Sequence, residues 1–102
     1  MARIWAARAT ADGAARYVDY FNRRVVPELR EVAGYQGARV LLRPVAAGTE
    51  IVVATTWSSL DAVRAFAGAT LDQAVVHDEA AALLSDFDRH VTHYEIAATD
   101  PA

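Results

Sequence analysis

The order in which two hydrophobic periodicities follow one another is the feature that most constrains the fold of this chain of 102 residues. Apolar side chains recur at every second position in four segments, as in strands, and at every third or fourth position in two stretches between them, as in helices. The resulting order is strand, helix, strand, strand, helix, strand. Few topologies accommodate it, because connections are short and crossovers are right-handed.

The alternating segments predict four strands. The first spans residues 2–8. The second and third, residues 35–43 and 50–57, are separated by residues 44–49, whose Pro and Gly predict a turn, so the two strands form a hairpin. Residues 89–97 alternate again and predict the closing strand.

The first helix begins after one of two candidate N-caps, Thr10 or Asp12, and ends at Gly34, since glycine commonly follows the last helical turn. Pro27 lies inside it and should kink the helix or break it near Arg23, because proline lacks an N–H and its ring collides with the preceding turn. The apolar stripe of this helix consists of Ala14, Val18, Phe21, Val25, Leu29 and Val32.

The second helix follows Ser58 and Ser59, which are suitable N-caps, and its apolar stripe runs to Gly68. Two shorter helical segments are predicted at residues 71–76 and 79–84.

These elements predict one α+β domain with a ferredoxin-like βαββαβ topology, in which an antiparallel four-stranded sheet carries both helices on one face. We expect the domain to cover residues 1–98 and residues 99–102 to form a flexible tail. The other sheet face is left bare, and a second copy of the chain is its expected cover, which gives a homodimer. Alternation leaves open which residues line the bare face: Trp5 or Ile4, Leu41 or Val40, and Val53 or Val52.

The composition excludes several classes of function. The formal net charge is −3, and the ten cationic side chains are all arginines dispersed from Arg3 to Arg89, so nucleic-acid binding is not expected. Cysteine is absent, which excludes disulfides and thiolate chemistry. No apolar run has the length of a signal or membrane helix, and we therefore expect a cytoplasmic protein without a membrane partner.

Several short motifs resemble one known family. They are Gly-Tyr-Gln-Gly at residues 34–37, Thr-Trp-Ser-Ser at 56–59, Ala-Phe at 65–66 and Val-Thr-His-Tyr-Glu at 91–95. Together they resemble the antibiotic biosynthesis monooxygenase family of dimeric α/β barrels, over residues 2–97. The resemblance implies a homodimer and a cofactor-independent monooxygenase for a small aromatic or polyketide-type substrate. The same superfamily includes haem-degrading enzymes and members with no known reaction.

The resemblance also implies positions for a site. Trp57 matches a tryptophan that the polyketide-oxidising branch keeps at the end of its third strand, whereas Val53 stands where that branch has an asparagine. Phe66 and His77 fall at the places of a tryptophan and a histidine in the haem-degrading branch, whose first-strand asparagine is replaced here by Ala6 or Ala7. Haem binding or degradation is therefore the less favoured reading.

His77 is the predicted catalytic residue. The adjacent Asp78 and Glu79 would orient its ring, so that it takes a proton from a phenol. The alternative is an exposed histidine at a helix end, stabilised by the C-terminal dipole. His90 and His93 lie three apart on a strand and point to opposite faces, which excludes a shared metal site.

The predicted substrate-binding residues are Trp57, Phe66, Val53, His93 and Tyr94. Tyr17, Tyr20 and Tyr35 are further candidates to offer a hydroxyl, or else simply bury their rings.

Two functions remain open from the sequence. The first is an oxidation without any cofactor, in which a phenolate reduces O2 directly. The second is a non-catalytic or cyclase-like module that binds a small hydrophobic ligand in the same pocket.

Overall fold

The sheet is built around the first strand, which lies between the hairpin and the chain's last segment. The computed structural model describes residues 1–101, and Ala102, the last residue of the predicted tail, lies outside the described residues. The elements are β1 (Ala2–Ala9), α1 (Ala11–Tyr20), α2 (Val26–Arg30), β2 (Tyr35–Val45), β3 (Gly48–Trp57), α3 (Leu60–Ala67), α4 (Asp78–Ala81), β4 (Asp86–Phe87) and β5 (Thr92–Tyr94).

Every pair of neighbouring strands is antiparallel. The order across the sheet is β2, β3, β1, and both β4 and β5 lie beside β1 in the fourth position. The α+β class and ferredoxin-like topology predicted from the sequence are confirmed. Among residues 1–101, no helix is long and apolar enough to cross a membrane.

The first helical stretch changes geometry close to where Pro27 predicts a disturbance. Thr10 caps α1 by accepting a hydrogen bond from the backbone N–H of Gly13 at 3.0 Å. A π-helical turn over Phe21–Val25 then joins α1 to α2, and Pro27 is the second residue of α2. The chain therefore remains helical through the predicted break.

The C-terminal third differs most from the sequence prediction. Residues 71–76 form no helix, and the helix expected at 79–84 is the short α4. The fourth strand is interrupted, because the backbone N–H of Ala74 bonds to the carbonyl of Arg89 and that of Val91 bonds to the carbonyl of Asp72. Residues 72–74 thus take partners that a continuous last strand would have offered to β1.

The two faces of the sheet have different surroundings. On the face covered by the helices, Ala7, Ile51 and Trp57 are completely buried, and Leu29 of α2 and Val63 of α3 pack into the same core. The residues that alternate with Ala7, Ile51 and Trp57 along the strands point to the opposite face of the sheet.

The opposite face, which we call the open face, is apolar and uncovered in the single chain. Cross-strand register places Ile4 beside Ala54, and Ala6 beside Val52, whose other neighbour is Leu41. Leu41 is 53 % exposed. The alternatives left by the sequence are therefore resolved in favour of Ile4, Leu41 and Val52 on the open face.

A tight turn at Gly34 connects α2 to β2 and determines how closely α3 approaches. Its φ is +91°, a region that only glycine enters without cost, and its carbonyl accepts the backbone N–H of Ser58 at 2.8 Å. A Cβ at this position would lie 2.6 Å from the Cβ of Ala62. Both the dihedral and the space therefore require glycine.

We expect Gly34→Ala to lower the free energy of unfolding by more than Gly68→Ala. Gly68 also has a positive φ, +82°, but a Cβ there would meet nothing within 4 Å. Backbone strain costs about 1–3 kcal/mol at both sites, and steric overlap adds about 1–3 kcal/mol at Gly34 alone. Urea denaturation measures both variants, and equal losses would show that α3 does not pack against Gly34 as described.

Candidate active site

A cavity of about 80 Å³ lies between the helix-covered face of the sheet, the first helical stretch and the irregular residues 74–77. Its wall is mainly aromatic and aliphatic. The lining residues include Arg3, Trp5, Tyr17, Tyr20, Phe21, Glu28, Leu29, Val53, Thr55, Phe66, Val75, Val76, His77 and Val91.

The side chain of Arg3 provides the cavity with a buried positive charge. Its Nη1 donates to the carbonyl of Leu71 at 2.7 Å and its Nη2 to the carbonyl of Gln73 at 2.8 Å, while the guanidinium carbon lies 5.9 Å from the ring centre of Phe66. The residue is only 5 % exposed, and burial lowers the pKa of its guanidinium. No carboxylate of residues 1–101 lies within 4.0 Å of it.

Arg3 also determines the protonation state of His93. The third contact of the guanidinium joins Nη1 of Arg3 to Nε2 of His93 at 3.1 Å. Because a guanidinium only donates, Nε2 must be the unprotonated acceptor and the ring must be neutral. Burial, and then the charge of Arg3, lower the pKa of His93, while Asp72 acts in the opposite direction.

Thr55 lies directly opposite Arg3 in the register of β1 and β3 and faces the same cavity. Its Oγ1 accepts the indole N–H of Trp57 at 2.8 Å. The hydroxyl hydrogen of Thr55 is therefore directed away from Trp57 and is free to donate to a molecule in the cavity.

Two tyrosines of α1 add hydroxyl groups to the wall. Burial raises the pKa of Tyr17 well above its usual value, with Tyr20 contributing, and burial followed by Glu79 and Glu28 raises the pKa of Tyr20. Both phenols therefore stay protonated near neutral pH and act as donors rather than bases.

The opening of the cavity is formed by exposed residues of α2 and of the segment before α4. His77 and Val75 lie on one side and Glu28 on the other, with Nε2 of His77 3.9 Å from Oε2 of Glu28. The nearby carboxylate is thus Glu28, not the expected Asp78 or Glu79. His77 also immediately precedes α4, so the C-terminal dipole of the alternative reading does not apply.

Three of the six predicted site residues line this cavity: His77, Phe66 and Val53. Trp57 is completely buried behind the wall, between the rings of Tyr35 and Phe66 at centroid distances of 5.5 Å each. His93 lies behind Arg3, and Tyr94 pairs with Ala2 and points to the open face.

Two residues of the wall are absent from the predicted site: Arg3, the most polar part of the wall, and Trp5, for which the sequence favours core or interface packing. Arg3, Trp5 and Ala7 alternate along β1 and therefore point to the same face of the sheet. Once it is known that this face is the buried one, the sequence indicates that Arg3 and Trp5 point inward. Trp5 is fixed by its indole N–H, which donates to the carbonyl of Asp88 at 2.7 Å, and by Tyr17 at 6.0 Å.

A second hollow, of about 550 Å³, is a groove between the first helical stretch and β2. It contains Arg30 and Asn22 but neither a histidine nor a buried charge. Nor does any group of three His, Asp or Glu residues within residues 1–101 have the arrangement of a metal site. The smaller cavity is therefore the candidate active site.

The fold and this cavity define a small α+β domain with a sheltered chamber between sheet and helices. The family model described as antibiotic biosynthesis monooxygenase matches residues 2–93, and the chain belongs to that family. No curated protein matches the chain.

A solved structure of similar fold is that of a monooxygenase from the gene ActVA-Orf6 of Streptomyces coelicolor, in complex with the ligand nanaomycin D. The identity is 21 % and the TM-score 0.52, and the match covers 68 % of this chain and 61 % of the other. At this identity the likeness concerns the fold alone.

We expect stability to decline as the pH falls below the ordinary histidine pKa of 6.5, through the neutral His93. The unfolded chain takes up the proton first, so the free energy of unfolding decreases between 6.5 and the lower folded-state pKa and levels off below it. His93→Gln keeps an acceptor for Arg3 and should remove this component. Denaturant midpoints above and below pH 6.5 measure it, with His90→Gln as control, and an unchanged pH dependence in His93→Gln would contradict the neutral ring.

Proposed function

We propose that the chain is a cofactor-independent monooxygenase that oxidises a small phenol in the cavity described above, with His77 as the proton acceptor. The observation that carries this proposal is a chamber walled by aromatic rings with a single imidazole at its opening. Five rings line it: Trp5, Tyr17, Tyr20, Phe21 and Phe66. A flat aromatic substrate gains stacking energy from such walls in addition to the burial of its surface.

The proposed reaction needs only the substrate and O2. His77 accepts the phenolic proton, the phenolate becomes electron-rich, and a ring carbon para to the oxygen reduces O2 and forms a carbon–oxygen bond. Cleavage of the O–O bond and loss of the ring hydrogen then give a quinone and one water. The phenol supplies all four electrons, so atoms balance as phenol plus O2 to quinone plus water.

The protein contributes to this reaction by orienting the substrate and by excluding water. The rings hold the substrate plane, and the aliphatic side chains of Leu29, Val53 and Val91 exclude water from the reacting carbon. Glu28 lies close enough to His77 to attract the imidazolium that forms.

The size of the cavity restricts the substrate. An engineered cavity of about 150 Å³ holds one benzene, whereas the space here is about 80 Å³ and opens between Glu28 and His77. A single ring that extends through the opening therefore fits better than a fused polyketide of several rings, which would require residues 74–77 to move outward.

Oxygen consumption with a panel of single-ring phenols that carry hydrogen para to the hydroxyl tests the proposal. We expect one O2 to be consumed per quinone formed. In His77→Ala the rate should fall by a factor of at least about 10², since a positioned base contributes a factor of about 10²–10⁴ to the rate. His90→Ala is the control, because His90 lies outside the cavity. No oxygen uptake with any member, or an unchanged rate in His77→Ala, would contradict it.

A binding module without redox chemistry is the second candidate. The 3.9 Å between His77 and Glu28 is too long for a hydrogen bond, so the ring is not held in one orientation as a catalytic base usually is. This candidate predicts that a ligand binds equally with and without O2 and is recovered unchanged.

We infer further that two chains associate through their open faces. Ile4, Val52 and Leu41 form an apolar surface across three neighbouring strands, which isolated soluble domains rarely leave uncovered. Family membership supports the same arrangement. The cytoplasmic location stays a prediction from the sequence.

Leu41→Asp tests this association. Leu41 is 53 % exposed in the single chain, so the change should leave the fold intact but place a charge in the interface and shift the protein to monomer. Leu42→Asp is the matched control, since Leu42 is 48 % exposed on the other face of the same strand. Sedimentation velocity at micromolar concentration measures the mass, and a wild-type monomer would refute the inference.

A further inference from the structure

We propose that the cavity selects an aromatic oxyanion, a carboxylate or a phenolate, and that the buried guanidinium of Arg3 is its counter-ion. This inference rests on the proposed function in that it concerns the same cavity, and it names the charge of the group that the cavity stabilises. The position of Arg3 on the first strand, beneath the helices, makes it part of the wall and not of the protein surface.

The charge of Arg3 is unusual because it is buried without an opposite charge. Arginine stays protonated in proteins, and a buried charge is normally paired. The three partners of its guanidinium are the carbonyls of Leu71 and Gln73 and the neutral ring of His93, none of which carries a negative charge. An anion in the cavity would supply the missing negative charge.

Arg3 also keeps a donor available for such an anion. Its recorded hydrogen bonds all involve Nη1 and Nη2, and none involves Nε. No side-chain nitrogen or oxygen is sealed from solvent without a partner among the residues described, so Nε–H retains accessible surface. The residue is almost fully buried and lines the cavity, so we infer that this surface faces the cavity.

Other donors converge on the same space. The hydroxyl of Thr55 lies opposite Arg3 in the strand register and has its oxygen occupied by Trp57, which directs its hydrogen elsewhere. Tyr17, which also lines the cavity, makes no recorded hydrogen bond through its hydroxyl and stays protonated. The only carboxylate of the lining, Glu28, is exposed at the opening. The interior of the cavity is therefore mainly apolar but carries several hydrogen-bond donors and no acceptor carboxylate. Such an interior suits an aromatic ring that bears one oxyanion.

A purely structural role for Arg3 is the competing explanation. Its two bonds to the carbonyls of Leu71 and Gln73 hold the irregular segment against β1, and this alone would justify the residue. Such a role predicts no dependence on the charge of a ligand. The two explanations therefore differ in a binding measurement on the unaltered protein.

The first measurement compares benzoate with benzamide, which have nearly the same shape and differ in charge. We expect calorimetric titration of the wild type to show benzoate binding at least about tenfold tighter, the ratio that one hydrogen bond to a charged group supplies. Equal affinities, or binding of neither compound, would overturn the proposal. This comparison requires no variant and cannot be confused with loss of folding.

The second measurement uses 4-nitrophenol, whose visible absorbance reports the phenolate directly. Binding beside Arg3 should lower the apparent pKa of the dye, and Arg3→Gln should abolish that shift together with the preference for benzoate. Arg3→Lys keeps the charge and should retain part of both. Arg8→Gln is the matched control: Arg8 is on the same strand but pairs with Asp86 and Asp88 on the other face.

Failure of this inference is distinguishable from failure of the proposed function. A preference for benzoate without any oxygen uptake would retain the anion site and refute the oxidation. Oxygen uptake with phenols, combined with equal binding of benzoate and benzamide, would retain the oxidation and refute the anion site. If Arg3→Gln does not fold, the wild-type comparison and Arg3→Lys still decide the question.

Discussion

The structure depends on one buried cation on its first strand. Arg3 joins the sheet to residues 71–73 through two carbonyls and to His93 through a ring nitrogen. These contacts hold residues 71–73, which immediately precede residues 74–77 of the cavity wall. The same guanidinium lines the cavity and supplies its positive charge, so one side chain both anchors the wall and accounts for the proposed preference for an anion.

The division of the sheet into two unequal faces explains the rest of the arrangement. The residues of β1 and β3 that face the helices provide both core and cavity, while those on the other face are mainly small and aliphatic and have no cover. The cavity therefore lies within each chain, whereas the proposed association concerns the opposite side of the sheet. Changes on the open face should consequently affect assembly before they affect ligand binding.

The fold could be predicted from the sequence because the alternation of β1 and β3 and the stripe of α1 are strong local signals. The last third could not, because residues 72–74 and 89–91 take each other as partners, and such pairing over distance leaves no periodicity in either segment. His77, Phe66 and Val53 line the cavity wall, whereas Tyr94 does not, since it is adjacent to His93 on β5 and therefore points to the opposite face of the sheet. Arg3 was missed because an arginine on a strand normally suggests a solvent-facing position.

The most direct measurement of the central claim observes the Nε–H of Arg3 itself. In a ¹H–¹⁵N spectrum of the arginine side chains, assigned by comparison with Arg3→Lys, addition of benzoate should shift the Arg3 signal and slow its exchange with water, and addition of benzamide should leave it nearly unchanged. An Arg3 signal that is indifferent to benzoate at saturating concentration, or one that responds equally to both compounds, would contradict an anion held by this guanidinium.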